Sequence, residues 1–75
     1  MEAVNWEEVE EAIYQHQMEV IRKRYGEAEM NSANYGWGVD EADDQLSVAT
    51  KIYGPREVLT TTWRAGQMED DWQIA

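Results

Sequence analysis

The chain contains no cysteine and one proline, and its basic residues number six against sixteen acidic ones. The missing cysteine excludes a disulfide scaffold, a thiolate zinc site and a cysteine nucleophile. The shortage of lysine and arginine leaves a net charge of −10. That excludes a self-sufficient nucleic-acid binder, because phosphate binding needs cationic side chains to release counterions. No apolar run approaches the roughly 18 residues of a membrane helix. Met1 to Asn5 is acidic where a secretory leader is basic, and no apolar core follows, so a cytoplasmic protein is expected. There is no P-loop, dinucleotide-binding glycine pattern, H-E-x-x-H, zinc spacing or G-x-S-x-G, so no enzyme and no cofactor are expected.

At 75 residues there is room for one domain. A mean hydropathy of −0.76 and the large net charge approach the composition of disordered chains. Four tryptophans, four tyrosines and only five glycines argue the other way. Each packed aromatic buries roughly 150–250 Å², enough for eight to anchor a small core. A chain below about 80 residues seldom draws more than ~3–5 kcal/mol from one core. With neither disulfide nor metal cage available, a homodimer or another partner is the expected supplement.

Residues 5–25 predict a helix marked at both ends. Asn5 is a good N-cap, Glu8 completes a capping-box spacing, and Gly26 stands where a left-handed residue ends a helix. At the helical period Trp6, Val9, Ile13 and Val20 fall within about 60° of one another and form a core stripe. Tyr14, Met18, Ile21 and Tyr25 form a second stripe about 120° away, expected to mediate self-association. His16, the only histidine, lies on the core stripe between Val9 and Val20 and is expected to be packed and hydrogen-bonded. Glu7, Glu8, Glu10 and Glu11 crowd the first turns and Arg22, Lys23 and Arg24 the last. The helix macrodipole favours that order by ~0.3–1 kcal/mol per well-placed charge, so it has a structural explanation.

Residues 26–45 are expected to be a long polar loop in which Tyr35 to Val39 forms a short strand or an aromatic turn. From Leu46 the period becomes two: Leu46, Val48, Thr50 and Ile52 alternate with Ser47, Ala49, Lys51 and Tyr53. Gly54-Pro55 and Ala65-Gly66-Gln67 mark turns around the β-branched run from Val58. Met68, Trp72 and Ile74 share a face of a last strand. A β-meander over 46–74 results, and the fold class is α+β: one N-terminal amphipathic helix on a three- to four-stranded antiparallel sheet.

Two acidic groups remain after the helix charges are explained. Asp40, Glu41, Asp43 and Asp44 fail the EF-hand pattern, since positions 3, 6 and 12 from Asp40 are Ala42, Gln45 and Lys51. Glu69, Asp70 and Asp71 sit in the last strand, where alternation places Asp70 between Met68 and Trp72 on an apolar face. Such residues form a bulge or turn that shortens the strand, protect a sheet edge by charge, or form part of a patch that meets a basic partner. Trp37, between Gly36 and Gly38, is expected to anchor a core or an interface, since the positive groove that accompanies base stacking is missing.

Eight acids fall in residues 1–38 and eight in 39–75, each half netting −5, so the negative field is not confined to a tail. The reading favoured is a small acidic protein–protein interaction module that occupies a basic nucleic-acid-binding cleft. Its partner surface is Asp40, Glu41, Asp43, Asp44, Glu69, Asp70 and Asp71, flanked by Trp37 and Trp72. In size and acidity alone the chain resembles the DNA-mimic inhibitors used by phages and mobile elements against restriction or CRISPR nucleases. That resemblance implies carboxylates presented in place of phosphates. The alternatives are an accessory homodimer kept soluble by its charge, and a calcium-binding module at one of the two acidic groups.

Overall fold

A computed structural model describes the backbone of residues 4–32, 35–42 and 44–74, and the side chains of all of these except 28–32, 35–40 and 42. The order is α1 (Trp6–Ser32), β1 (Tyr35–Ala42), β2 (Gln45–Ile52), β3 (Glu57–Arg64) and β4 (Gln67–Ile74). The strands form one antiparallel meander in the order β1-β2-β3-β4. The helix lies across one face of it, mainly over β2 and β3. The expected α+β architecture is present, with four strands. Among the described residues no helix is long and apolar enough to cross a membrane.

The helix starts where its cap places it. The Glu8 amide donates to Asn5 Oδ1 at 3.3 Å and the Val9 amide to the Asn5 carbonyl at 3.1 Å. Gly26 leaves the helix at φ 82 and ψ 165, and residues 27–32 then resume helical geometry. A Cβ at Gly26 would meet nothing within 4 Å, so the positive φ alone favours glycine there. The 26–45 connection is therefore shorter than expected. Its first part is helical and its last part is β1, which runs through Ala42 instead of stopping at Val39.

Each turn rests on a left-handed residue. Asp44 (φ 64) leads into β2, Arg56 (φ 60) closes the Tyr53–Arg56 loop, and Ala65 and Gly66 (φ 51 and 81) join β3 to β4. Positive φ at both centre residues of a two-residue hairpin is the type I′ geometry, whose twist matches the strands it joins. The β1–β2 and β3–β4 turns lie at the end of the sheet that receives the helix N-terminus. The β2–β3 turn lies at the other.

Strand alternation then sorts the side chains. Leu46, Val48, Thr50 and Ile52 of β2 and Leu59 and Thr61 of β3 are fully buried under the helix. Facing them is a row of every fourth helical residue: Val9, Ile13, Gln17 and Ile21. Such a row drifts by about 40° per step around the helix and runs obliquely to its axis, as ridge packing requires. Ile21, expected on the outer stripe, is consequently in the core with no exposed surface.

The core divides into two clusters. Val9, Ile13, Leu46 and Val48 pack with Trp6, Tyr14, Trp63 and Met68 at one end. Ile21, Ile52 and Leu59 pack with Val20, Tyr25 and Trp72 at the other. Between them stands a polar bridge. The Gln17 amide nitrogen donates to the Val48 carbonyl (2.8 Å), the Leu59 carbonyl (3.2 Å) and Thr61 Oγ1 (3.1 Å). Thr50 Oγ1 donates to Gln17 Oε1 at 2.5 Å. Among the described residues no buried side-chain polar atom lacks a partner. That matters because an orphaned one costs about 1–3 kcal/mol.

Candidate interaction surface

The candidate surface is defined by which charges have partners. At the C-terminal end of α1's main body, every cation on the helix is paired. Arg22 meets Glu19 at 2.6 Å and Glu27 at 3.5 Å, Lys23 meets Glu19 at 3.8 Å, and Arg24 meets Glu57 of β3 at 2.8 Å. Tyr25 donates its hydroxyl to the same Glu57 carboxylate. These hydrogen bonds, from Tyr25 first and Arg24 second, hold the Glu57 carboxyl below the usual carboxylate range. The bond from Arg22 does the same for Glu19. The Arg24 guanidinium also lies 4.3 Å from the centre of the Trp72 ring, and Tyr25 meets that indole edge-on at 6.2 Å. Cation–π contact and T-shaped packing are the favoured aromatic arrangements here.

The opposite end differs. Glu7, Glu8 and Glu11 project from the first turns of α1, and Glu41 and Asp44 flank the β1–β2 turn, all exposed. Glu69 and Asp71 are exposed on β4. Among the described residues none of these seven carboxylates has a cation within ion-pair distance. Glu10 is used internally: it accepts the Tyr14 hydroxyl at 2.5 Å, and this bond, with burial, pushes the phenol up to about 12. Glu11 and Asp71 accept only from the neutral amides of Gln15 and Gln73, at 3.0 and 3.1 Å. Among the described residues Arg64 is the single cation at this end. It borders a shallow hollow of about 330 Å³ with Gln45, Thr62, Gln67 and Glu69, and it too has no ionic partner.

The expected partner residues separate accordingly. Asp43 lies outside the described residues. For Asp40 and Trp37 the backbone alone is described, pairing with Ser47 and Thr50 respectively. Register puts Asp40, Ser47, Thr62 and Glu69 in one row across the sheet. The two acidic groups therefore belong to opposite sheet edges, three strand spacings or roughly 14 Å apart. Asp70 does face the helix, as alternation required, but it is not free. His16 Nε2 lies 2.9 Å from its Oδ2, and Thr61 Oγ1 donates to its Oδ1 at 2.7 Å. His16 is therefore hydrogen-bonded at the half-buried edge of the interface. Trp72 lies beneath Arg24, against the second cluster.

Of the helix stripe expected to self-associate, Ile21 is buried, Tyr14 and Tyr25 bond Glu10 and Glu57, and Met18 alone is an exposed apolar side chain. As a metal site, β4 has the wrong geometry, because Glu69 and Asp71 leave one sheet face and Asp70 the other. Among the described residues no group of three potential ligands converges. Sequence reasoning missed Gln17, Thr50 and Thr61 as a network, and Glu57 as the hub of the far end. The available signal for Gln17 was its place midway between Ile13 and Ile21 in a four-residue repeat. Comparison with protein-family models, with curated proteins and with solved structures gives no match.

Proposed function

We propose that this chain is a small cytoplasmic, non-catalytic interaction module that docks its unpaired acidic end into a basic cleft of another protein, one that otherwise holds nucleic acid. The observation that carries the reading is the unequal pairing of charge. The helix cations are neutralised inside the molecule at one end. The exposed acids Glu7, Glu8, Glu41, Asp44 and Glu69 are left unpaired at the other. An uncompensated field of one sign steers a compact body toward its opposite and speeds encounter in a salt-sensitive way. The Ala65-Gly66 hairpin turn and the Asn5 cap set the backbone from which Glu69 and the first-turn carboxylates of α1 project. Asp40 and Asp43 belong to the same acidic edge in sequence and are included in the proposed surface. Asp70 and Trp72 are withdrawn from it, since His16, Thr61 and Arg24 occupy them. Self-association through the helix stripe is withdrawn as well, because Ile21 is core.

The test is capture of partners from the native host at low salt, followed by elution with duplex DNA. Release of a basic protein by DNA, and loss of capture in a Glu7→Lys/Glu41→Lys/Asp44→Lys/Glu69→Lys variant, is expected. Capture that survives both treatments would sink the reading.

A further inference from the structure

The β4 strand is an edge, and its backbone is half used. In a two-residue hairpin the residues flanking the turn exchange both hydrogen bonds, and such pairs alternate along the ladder. Gln67 pairs with Arg64, so Gln67, Glu69, Asp71 and Gln73 direct their amides to β3. Met68, Asp70, Trp72 and Ile74 then direct theirs outward, along an edge open to another strand.

The side chains along this edge have two characters. Glu69 and Asp71, on the face away from the helix, are exposed acids without cations. On the helix side stand Met68 and Trp72, half-buried, and Ile74, 88 % exposed although it is a large apolar residue. Between them Asp70 is already satisfied by His16 and Thr61, so an apolar neighbour leaves no charge orphaned.

From this we infer that the outer edge of β4 accepts an extended segment of a partner protein in which basic and apolar residues alternate. Strand addition supplies main-chain hydrogen bonds, and alternate side chains supply specificity. Basic residues of the added strand would lie beside Glu69 and Asp71. Its apolar residues would lie beside Met68, Trp72 and Ile74. A second copy of this chain is the wrong occupant: pairing β4 with itself sets acids against acids, which destabilises a cross-strand pair. The same acids thus reject self-pairing and select a cationic strand. The inference rests on the acidic-docking reading above and narrows it to one strand and one class of segment.

The probe is an eight-residue peptide of alternating lysine and valine, with an isomer whose lysines are grouped at one end. A third peptide carries N-methyl groups on the amides of one edge. Amide hydrogen exchange read by NMR should slow at least tenfold at Asp70 and Trp72 with the first peptide. It should not slow with the other two. Glu69→Lys/Asp71→Lys, two exposed positions, should weaken binding at least tenfold while leaving the fold intact. Binding without slowed exchange at Asp70 and Trp72 would overturn strand addition while leaving the acidic-docking reading standing. Failure of the alternating peptide to bind at millimolar concentration would overturn it too. Concentration-dependent protection of the same amides without peptide would assign the edge to a second copy and overturn it as well. Release of a host partner by duplex DNA tests the broader reading separately.

Discussion

At one end of the molecule Trp6 meets Trp63 edge-on at 5.6 Å over Val9, Ile13, Leu46 and Val48. At the other, Tyr25 meets Trp72 edge-on at 6.2 Å over Ile21, Ile52 and Leu59. In apolar packing the two ends follow one plan. Their surfaces follow opposite ones. The second cluster is roofed by Arg24, Glu57 and Tyr25 bonded to one another, while the acids around the first have no cation. Burial explains why both ends exist, and it leaves the charge difference unexplained. The helix cations at one end are paired, while Lys51 and Arg56 by the β2–β3 turn form no ion pair among the described residues, and the carboxylates at the other end stand bare.

The comparison can be broken by substitution. Ile21→Glu should have the largest effect. It removes a core side chain and buries a carboxylate, costing upward of about 4 kcal/mol against a total near 5 for a small domain. Far-UV circular dichroism should show an unfolded chain at 25 °C. A folded variant with impaired self-association would restore the outer-stripe assignment of Ile21. Gln17→Ala comes next, at roughly 2–4 kcal/mol from the cavity and from the partners left unpaired. Because Gln17 stands between the clusters, the indole NMR signals of Trp63 and Trp72 should lose their native shifts at the same urea concentration. Separate midpoints would show that the ends unfold independently.

Smaller effects sharpen the contrast. Glu57 has a depressed folded-state pKa, set first by Tyr25 and then by Arg24. Its contribution is therefore present above the unfolded carboxyl value and is lost as pH falls through the folded one. Tyr14 is raised from 10.0 to about 12, chiefly by Glu10. Its contribution is complete below pH 10 and is lost as pH rises toward 12. Tyr25 is also raised, by burial first and Glu57 second. Acid should thus loosen Trp72 before Trp63, whereas alkali should loosen both, as followed by indole NMR. A Glu57→Gln variant in which Trp72 still responds first to acid would remove Glu57 as the cause. Smallest of all, millimolar Ca²⁺ should leave Tm unchanged within about 1 °C, since no binding means no mass-action gain. A clear rise would revive a cation site at the acidic turn.

Much of this architecture could be read from the sequence because local chemistry marked it. Asn5 caps the helix and Gly26 ends its main body. The period of two in β2 and the turn at Ala65-Gly66 gave the meander its boundaries. Tyr35–Val39 was harder to read, since Gly36 and Gly38 carry no side chain to alternate. Residues 27–32 resume helical geometry after Gly26, where a polar loop was expected. At the candidate site, the placement of Asp70 on the helix side followed from alternation. Its bond to His16, fifty-four residues away, did not. Ion pairs between elements, such as Arg24 with Glu57, depend on where the helix lands on the sheet, and no pattern within either segment encodes that landing.

That landing is where the Gln17 bridge has its consequence. A helix presenting one apolar residue every four positions could slide along its sheet by a turn, about 6 Å for four residues, and still bury a hydrocarbon at each step. Val9, Ile13 and Ile21 would tolerate such a slip. Gln17 would not, because a displaced helix sets a methyl group against the Thr50 hydroxyl and strands the amide among aliphatic side chains. The glutamine thus acts as a detent, ruling out neighbouring alignments that the greasy contacts alone would leave nearly degenerate.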